Sequence, residues 1–366
     1  MSSASLEGSV FLGVDAEFFF ITEQGHPISA HTLLPSREDP VIVLEDRVGA
    51  APDSTHPGVV FHYDGVQAEF GIAESTNIED ILRRTQFAIS YGNKLAQDNK
   101  GSLSLAGTMP LRHLPPSRLP PEVAAFGCDV DFISWLDGMP NPITLDPLQH
   151  MSRYAGTHLH IGAPVNPSNA IERAAVDALL EPLKKMEVVK VLDYLVGNTI
   201  VLLESMEYSF TSRRKVYGKA GTYRPTPYGI EYRVPSSVLL THPSFLVLCL
   251  SLARESVRIV IDNKQDELFA TLHPREVVHA INTGAKNKAI TNLRSIFAHI
   301  KPYLMEENAQ GMEDVVTFYP ALSRMPNTNA RMLQSWRIAQ QDKVLPVSWD
   351  LWKEDLHLAT QDQLVF

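Results

Sequence analysis

Asp15 and Glu17 stand two apart in Gly13-Val-Asp-Ala-Glu-Phe-Phe-Phe20, a segment whose other residues suit a buried β-strand. Side chains alternate faces along a strand, so the two carboxylates share one face while Val14, Ala16, Phe18 and Phe20 take the other. Like charges left unpaired on an apolar element are costly or drive one pKa upward, so the pair calls for a metal ion or an arginine. The same spacing of polar residues recurs in three more strand-like segments. Gln67 and Glu69 share a face in Asp64-Gly-Val-Gln-Ala-Glu69, and Asp64 joins that face only if Gly65 forms a bulge. His158 and His160 share one in Thr157-His-Leu-His-Ile-Gly162, as do Glu231 and Arg233 in Gly229-Ile-Glu-Tyr-Arg-Val-Pro235. One such pair is what any half-exposed strand carries. Four of them, each backed by residues fit to bury the opposite face, describe a basin of Asp, Glu, His and Arg if the strands lie side by side. Hard oxygen ligands with imidazoles and no thiolate suit Mg2+ or Mn2+ better than structural zinc.

A metal basin serves hydrolysis or phosphate chemistry, and Ser212-Arg-Arg-Lys-Val-Tyr-Gly-Lys-Ala-Gly-Thr-Tyr-Arg224 favours the second. Arg213, Arg214, Lys215, Lys219 and Arg224 offer forks and charges for phosphate oxygens, and Gly218 and Gly221 let a loop approach a ligand closely. Taken alone the segment reads equally well as a solvated basic loop; its place just before the Glu231/Arg233 strand favours a metal–nucleotide site. The sequence contains no G-x-x-x-x-G-K-[ST] loop, G-x-G-x-x-G turn, kinase catalytic set or G-x-S-x-G elbow, so ATP, if bound, is held by another design.

The elements that would position these groups crowd the first two thirds of the chain. Strands are expected over 11–21, Val41–Leu44, Val59–Ala73, Ser102–Met109, Phe126–Phe132, Thr157–Gly162 and Tyr228–Val234. A helix capped by Thr76 is expected to run to about Gln97, and helical spacing covers Asn169–Glu207 with a break near Gly197. The proline-rich stretch from Pro110 to Pro121 reads as a long loop and candidate lid. From Thr241 onward helices dominate: Pro243–Asn263, Pro274–Asn282, Lys286–Ile300 and Asn327–Gln341. Segregated strands and helices indicate α+β, with a sheet domain over 1–240 and a helical region over 241–366 packed on it as one structural unit.

With 366 residues, 44% apolar, the chain can bury a large core, and a net charge of −10 argues against dedicated duplex nucleic-acid binding. Two cysteines, Cys128 and Cys249, make no disulfide framework, and Cys128 reads as a small buried side chain rather than a nucleophile. The N-terminus lacks signal-peptide character and no stretch is long enough to span a membrane, so a cytoplasmic protein is expected.

These four segments, in this order, resemble the catalytic domain of glutamine synthetase and its relatives, the carboxylate-amine ligases. The family's Gly-Pro-Glu-Pro-Glu-Phe-Phe strand is similar to Gly13–Phe19 with Asp15 for the first Glu, and its Gly-Gln-x-Glu strand to Gly65–Glu69 with one inserted residue. Its His-x-His strand is similar to His158–His160, and its Ile-Glu-x-Arg strand to Ile230–Arg233. The Phe-Gly-Cys-Asp-x-Asp and Tyr-Gly-x-Ala-Gly-x-Tyr-Arg phrases at Phe126–Asp131 and Tyr217–Arg224 resemble the phage-type COOH-NH2 ligase (type 2) amidoligase family most. The resemblance spans about residues 11–240. It implies a curved antiparallel sheet of the glutamine synthetase type with flanking helices. It implies one metal on Glu17 and Glu69, with Asp64 a candidate third ligand, and a second on Asp15, His158 and Glu231 that meets the ATP phosphates. Arg233, with Arg213, Arg214, Lys215, Lys219 or Arg224, would steady the transferred phosphoryl group, with His160 on the nucleotide side. Asp129, Asp131 or Asp64 would bind the amine and accept its proton. Because the sequence starts almost at the first metal strand, a site built within one subunit is expected, in a monomer or small homo-oligomer.

The function implied is ATP- and Mg2+/Mn2+-dependent joining of a small-molecule or peptide carboxylate to an amine through an acyl-phosphate, by a phage-encoded enzyme working in the host cytoplasm. The alternatives are a guanidino-kinase-like phosphotransferase and a metal-dependent hydrolase that uses no nucleotide.

Overall fold

The computed structural model describes residues 6–43, 58–126, 130–204, 210–322, 329–340, 345, 347–353 and 355. Its strands are, in chain order, β1 (Phe11–Thr22), β2 (Pro27–Ile28), β3 (Val41–Val43), β4 (Val59–Asp64), β5 (Gln67–Ser75), β6 (Gly101–Ser104), β7 (Thr108–Pro110), β8 (Asp131–Ile133), β9 (Met139–Asn141), β10 (Ser152–Tyr154), β11 (Thr157–Gly162), β12 (Thr222–Thr226) and β13 (Gly229–Tyr232). Eleven of them form one sheet in the order β3-β4-β5-β1-β11-β13-β12-β8-β9, with β2 and β6 paired to β1. Every pairing in it is antiparallel, and β7 and β10 form a separate two-stranded ribbon. Large antiparallel sheet and many helices together make this an α+β fold.

Register carries the polar pairs to one face. Glu17 lies opposite Glu69 and Asp15 opposite His158, while His160 lies opposite Glu231 and Glu231 opposite Arg224. Val14, Ala16, Phe18 and Phe20 point the other way into the main core, together with Phe61, Phe70, Leu159, Ile161, Ile230 and Tyr232. The helix Ile78–Asp98 packs there on β1, β5 and β6, and Pro243–Ile261 on β11. The first is amphipathic, burying Ile78, Ile81, Leu82 and Ile89, and the second is buried along nearly its whole length, Cys249 included.

Several expected boundaries move, for local reasons. Val59–Ala73 is two strands, not one: a two-residue turn at Gly65 (φ +61) and Val66 pairs Asp64 with Gln67. The hairpin, rather than a bulge, brings Asp64 onto the face of Glu69. Ser102–Met109 likewise divides into β6 and β7. Asn77, not Thr76, caps the first helix, its Oδ1 accepting the Glu79 N–H at 3.0 Å. The segment after Asn169 does not break at Gly197; it turns at Glu181-Pro182 and passes through a π-helical turn, Asp193–Gly197, into Asn198–Leu203. Among the described residues of Phe126–Phe132, Asp131 and Phe132 are strand, in β8, and residues 127–129, Cys128 and Asp129 among them, lie outside the described residues. Asn327–Gln341 contains a helix over Asn329–Ser335 and a 3-10 turn over Ile338–Gln340, and helices Gln265–Thr271 and Glu306–Leu322 were not expected. The proline-rich segment is anchored on the polar side of the sheet, where Leu111 packs with Phe19, Val66, Met109 and Val123.

Candidate metal and phosphoryl-transfer site

Glu17 on β1, Asp64 on β4 and Glu69 on β5 each place a carboxylate oxygen within 4.8 Å of the other two. Burial first, then the charges of Asp64 and Glu69, push Glu17 up to about 8, and burial and Glu69 push Asp64 up to about 6. Glu17 accepts the Gly156 N–H at 2.7 Å. Arg37, half exposed, reaches Glu69 at 3.3 Å, and His62 Nε2 stands 3.3 Å from the same carboxylate. Three hard oxygen donors from three adjacent strands, with no thiolate, fit Mg2+ or Mn2+. A cation there would lower the cost that now keeps a proton on Glu17.

Beside this cluster runs a hydrogen-bonded chain. Arg233 Nη2 donates to the Tyr217 hydroxyl at 2.9 Å, and that hydroxyl contacts His158 Nε2. His158 Nδ1 lies 3.2 Å from Glu231 Oε1, which also pairs with Arg233 Nη1, while Arg224 Nη1 donates to Glu231 Oε2 at 3.0 Å. Burial and the Arg233 charge lower His158 to about 4, so it is neutral at pH 7; its partners assign Nδ1–H to Glu231 and leave Nε2 to accept from Tyr217. Glu231 is held well below the carboxylate range: burial opposes its ionisation, but the His158 hydrogen bond and the Arg233 charge outweigh it. Asp131 stands 3.8 Å from Arg233 Nε and accepts from Asn141 at 2.9 Å, and burial raises its pKa. Lys219 Nζ reaches Asn141 at 3.5 Å.

Of the residues expected for the second metal, Asp15 has a different neighbour. Asp15 is drawn to His160 instead, 2.9 Å from its Nε2, while His160 Nδ1 meets the Tyr228 hydroxyl at 2.6 Å. Asp15, His158 and Glu231 are therefore not a convergent trio like the first. The short Asp15 side chain meets the imidazole on the neighbouring strand, and two arginines with His158 already compensate Glu231.

The basic segment also departs from a solvated phosphate loop. Arg213 and Arg214 sit on a short helix, Phe210–Arg214, and are buried. Arg214 makes a fork with Glu204, and Arg213 donates to the carbonyls of Arg233 and Val234 at 3.0 Å. Arg213 fits because Gly218 (φ +70) has no side chain where the guanidinium lies. Both arginines are thus structural, and Lys215 is exposed. Of the expected phosphate-side cations, Arg224, Arg233 and Lys219 face the basin.

Tyr217, His62 and Arg37 were missed as site residues. His62 could have been found by carrying the alternation two residues upstream of Asp64. Tyr217 lies inside the basic phrase, its ring flanked by the guanidinium groups of Arg213 at 4.4 Å and Arg233 at 5.0 Å. Tyr217→Phe should lower turnover about tenfold to a hundredfold while changing the melting temperature little, measured by steady-state kinetics and calorimetry.

An antiparallel sheet with a buried carboxylate cluster and an Arg–Tyr–His–Glu chain is thus the class of molecule defined by the geometry. Residues 178–338 match the model of the family described as Phage phiEco32-like COOH.NH2 ligase-type 2, which bears out the family resemblance carried by the motifs. The match is less than half of the chain; it includes Tyr217, Arg224, Glu231 and Arg233 and leaves β1, β4, β5 and β11 outside. No curated protein matches the sequence. Among solved structures, a bifunctional glutathione synthetase from Pasteurella multocida is similar with 12% sequence identity and a TM-score of 0.42. The similarity covers 97% of this chain and 52% of that one, so this chain spans about half its length. Among the described residues no helix is long and apolar enough to cross a membrane.

Proposed function

We propose that the protein is an ATP-dependent amidoligase joining a small-molecule or peptide carboxylate to an amine through an acyl-phosphate, using Mg2+ or Mn2+. The family match supports a carboxylate-amine ligase. The observation that carries the finer reading is the convergence of Glu17, Asp64 and Glu69 beside the Arg233–Tyr217–His158–Glu231 chain. In this reading the sheet is of the glutamine synthetase type, residues 1–240 form the catalytic unit with 241–366 packed on it, and the enzyme is phage-encoded and works in the host cytoplasm.

A carboxylate is a poor electrophile, since its charge is delocalised and oxide is its leaving group. Its oxygen attacks the γ-phosphorus of ATP, the bond to the ADP oxygen breaks, and the acyl-phosphate forms. The amine nitrogen then attacks the acyl carbon, phosphate departs, and one proton is lost. Glu17, Asp64 and Glu69 would hold the divalent ion, which supplies positive charge against the phosphoryl oxygens. Arg233 and Arg224, fixed by Glu231, neutralise charge that builds on the transferred group. Asp131, with its raised pKa, binds the ammonium and takes its proton.

Purified protein with Mg2+ or Mn2+, ATP and a pool of carboxylates and amines should release ADP and phosphate and yield amides detectable by mass spectrometry. No ATP binding and no ADP release would sink the proposal. A stable phosphorylated product without amide would favour the guanidino-kinase-like alternative, and nucleotide-independent turnover the hydrolase.

A further inference from the structure

We propose that the amine substrate carries an apolar group, a branched aliphatic or aromatic side chain, next to its nitrogen, and that a cavity of about 310 Å³ beside the basin receives it. This deepens the ligase reading and rests on it. The cavity is walled by Phe126, Val130, Ile143 and Val216, and Asp131 and Tyr217 belong to its lining as well. Those last two tie it to the reacting groups: Tyr217 accepts from Arg233 at 2.9 Å, and Asp131 stands 3.8 Å from the same guanidinium. Among the described lining residues Asp131 is the one charged side chain. Among the described residues an ammonium entering here has one carboxylate to meet, and a group attached to it lies against the hydrocarbon of Phe126, Val130, Ile143 and Val216.

The volume is at the lower end for small-molecule pockets, room for one side chain rather than a peptide. Val130 is 49% exposed, so apolar surface at the mouth is left for a ligand to cover. A charged substituent set against Phe126, Val130, Ile143 and Val216 would lose its hydration to hydrocarbon.

The walls are held in place. Buried Arg153 donates to the carbonyls of His150, Ser152 and Pro147 at 2.9 Å and to that of Ala124, and its guanidinium covers the Phe126 ring at 4.8 Å. One side chain thereby ties together the segments on which Phe126 and Pro147 stand. Asn141 fixes the other side by donating to Asp131 at 2.9 Å.

Isothermal titration of the full chain with leucine amide, phenylalanine amide and glycine amide tests this. Leucine and phenylalanine amides should bind at least about tenfold more tightly than glycine amide, and Val216→Trp, which fills the cavity, and Ile143→Ser, which makes it polar, should each bring the ratio to about twofold or less. Circular dichroism establishes that each variant is folded, and either folded variant suffices. Equal binding of the three amides, or a preference that survives in the folded variants, would overturn the pocket. Product analysis separates the two readings. Selective binding without any ATP-dependent amide keeps the pocket and removes the ligase, whereas amide formation that is as fast with glycine amide as with leucine amide does the reverse.

Discussion

Replacing Glu231 with Gln is expected to lower ATP turnover about a thousandfold, the scale on which loss of preorganised charge acts at such sites. One carboxylate there meets Arg233 and His158 through Oε1 and Arg224 through Oε2. An amide keeps the shape but presents N–H to one of these donors, so at least one guanidinium must turn away from where phosphoryl charge would collect. The effect should fall on kcat, with the urea midpoint shifting modestly. Glu231→Ala is the harsher change, because it strips compensation from a buried Arg233, and single-sided loss of a buried pair costs about 3–5 kcal/mol. Arg224→Gln should be milder, since Arg224 is 22% exposed and water can take over part of its role. Parental activity in a folded Glu231→Gln enzyme would remove this residue, and the chain built on it, from the reaction.

The polar face of the sheet was legible because strand alternation is a local property: two residues apart means one face, whatever lies around them. Asp15, Glu17, Glu69, His158, Glu231 and Arg233 follow from that rule alone. Where the reading failed, the deciding contacts were distant. A charge reads as surface unless its partner is seen, and Arg214 is buried because Glu204 meets it, while the carbonyls that take Arg213 belong to Arg233 and Val234. Asp15 lies directly across from His158, yet its carboxylate turns to His160, diagonal to it on the same strand, and alternation alone does not choose between those two imidazoles. The Gly65 hairpin shows in the sequence only as a change of parity, from Val59 and Phe61 to Ala68 and Phe70, and a one-residue bulge would produce the same change. Glu306–Leu322 escaped notice because Gly311 and Pro320 weaken its helical signal; Gly311 is there since a Cβ would approach Leu248 to 2.8 Å. Tyr217 could not be weighed before its ring was seen between two guanidinium groups.

The free-carboxylate cost at Glu17 gives the second large effect. Its pKa, about 8 in the folded chain against an ordinary 4.5, means that the folded state holds this proton more tightly than the unfolded state does. Without divalent metal, stability should therefore be highest at the acid end of this interval and fall as pH rises from about 4.5 to about 8, by about 5 kcal/mol; Asp64, raised to about 6, adds to the same slope. Urea midpoints across that range in a chelating buffer would measure it. Glu17→Gln should flatten the slope and, at the alkaline end, be more stable than the parent, because it removes a charge yet still accepts the Gly156 N–H that Glu17 holds at 2.7 Å. Glu17→Ala would forfeit that acceptor and obscure the gain. Saturating Mg2+ or Mn2+ should stabilise the parent most at high pH, where the cation takes the place of the proton, and the Gln variant little. A parent whose metal-free stability is level or rises over this range, or a Gln variant weaker than the parent at its alkaline end, would mean that Glu17 is satisfied without a cation, and the carboxylate cluster would lose its standing as a metal site.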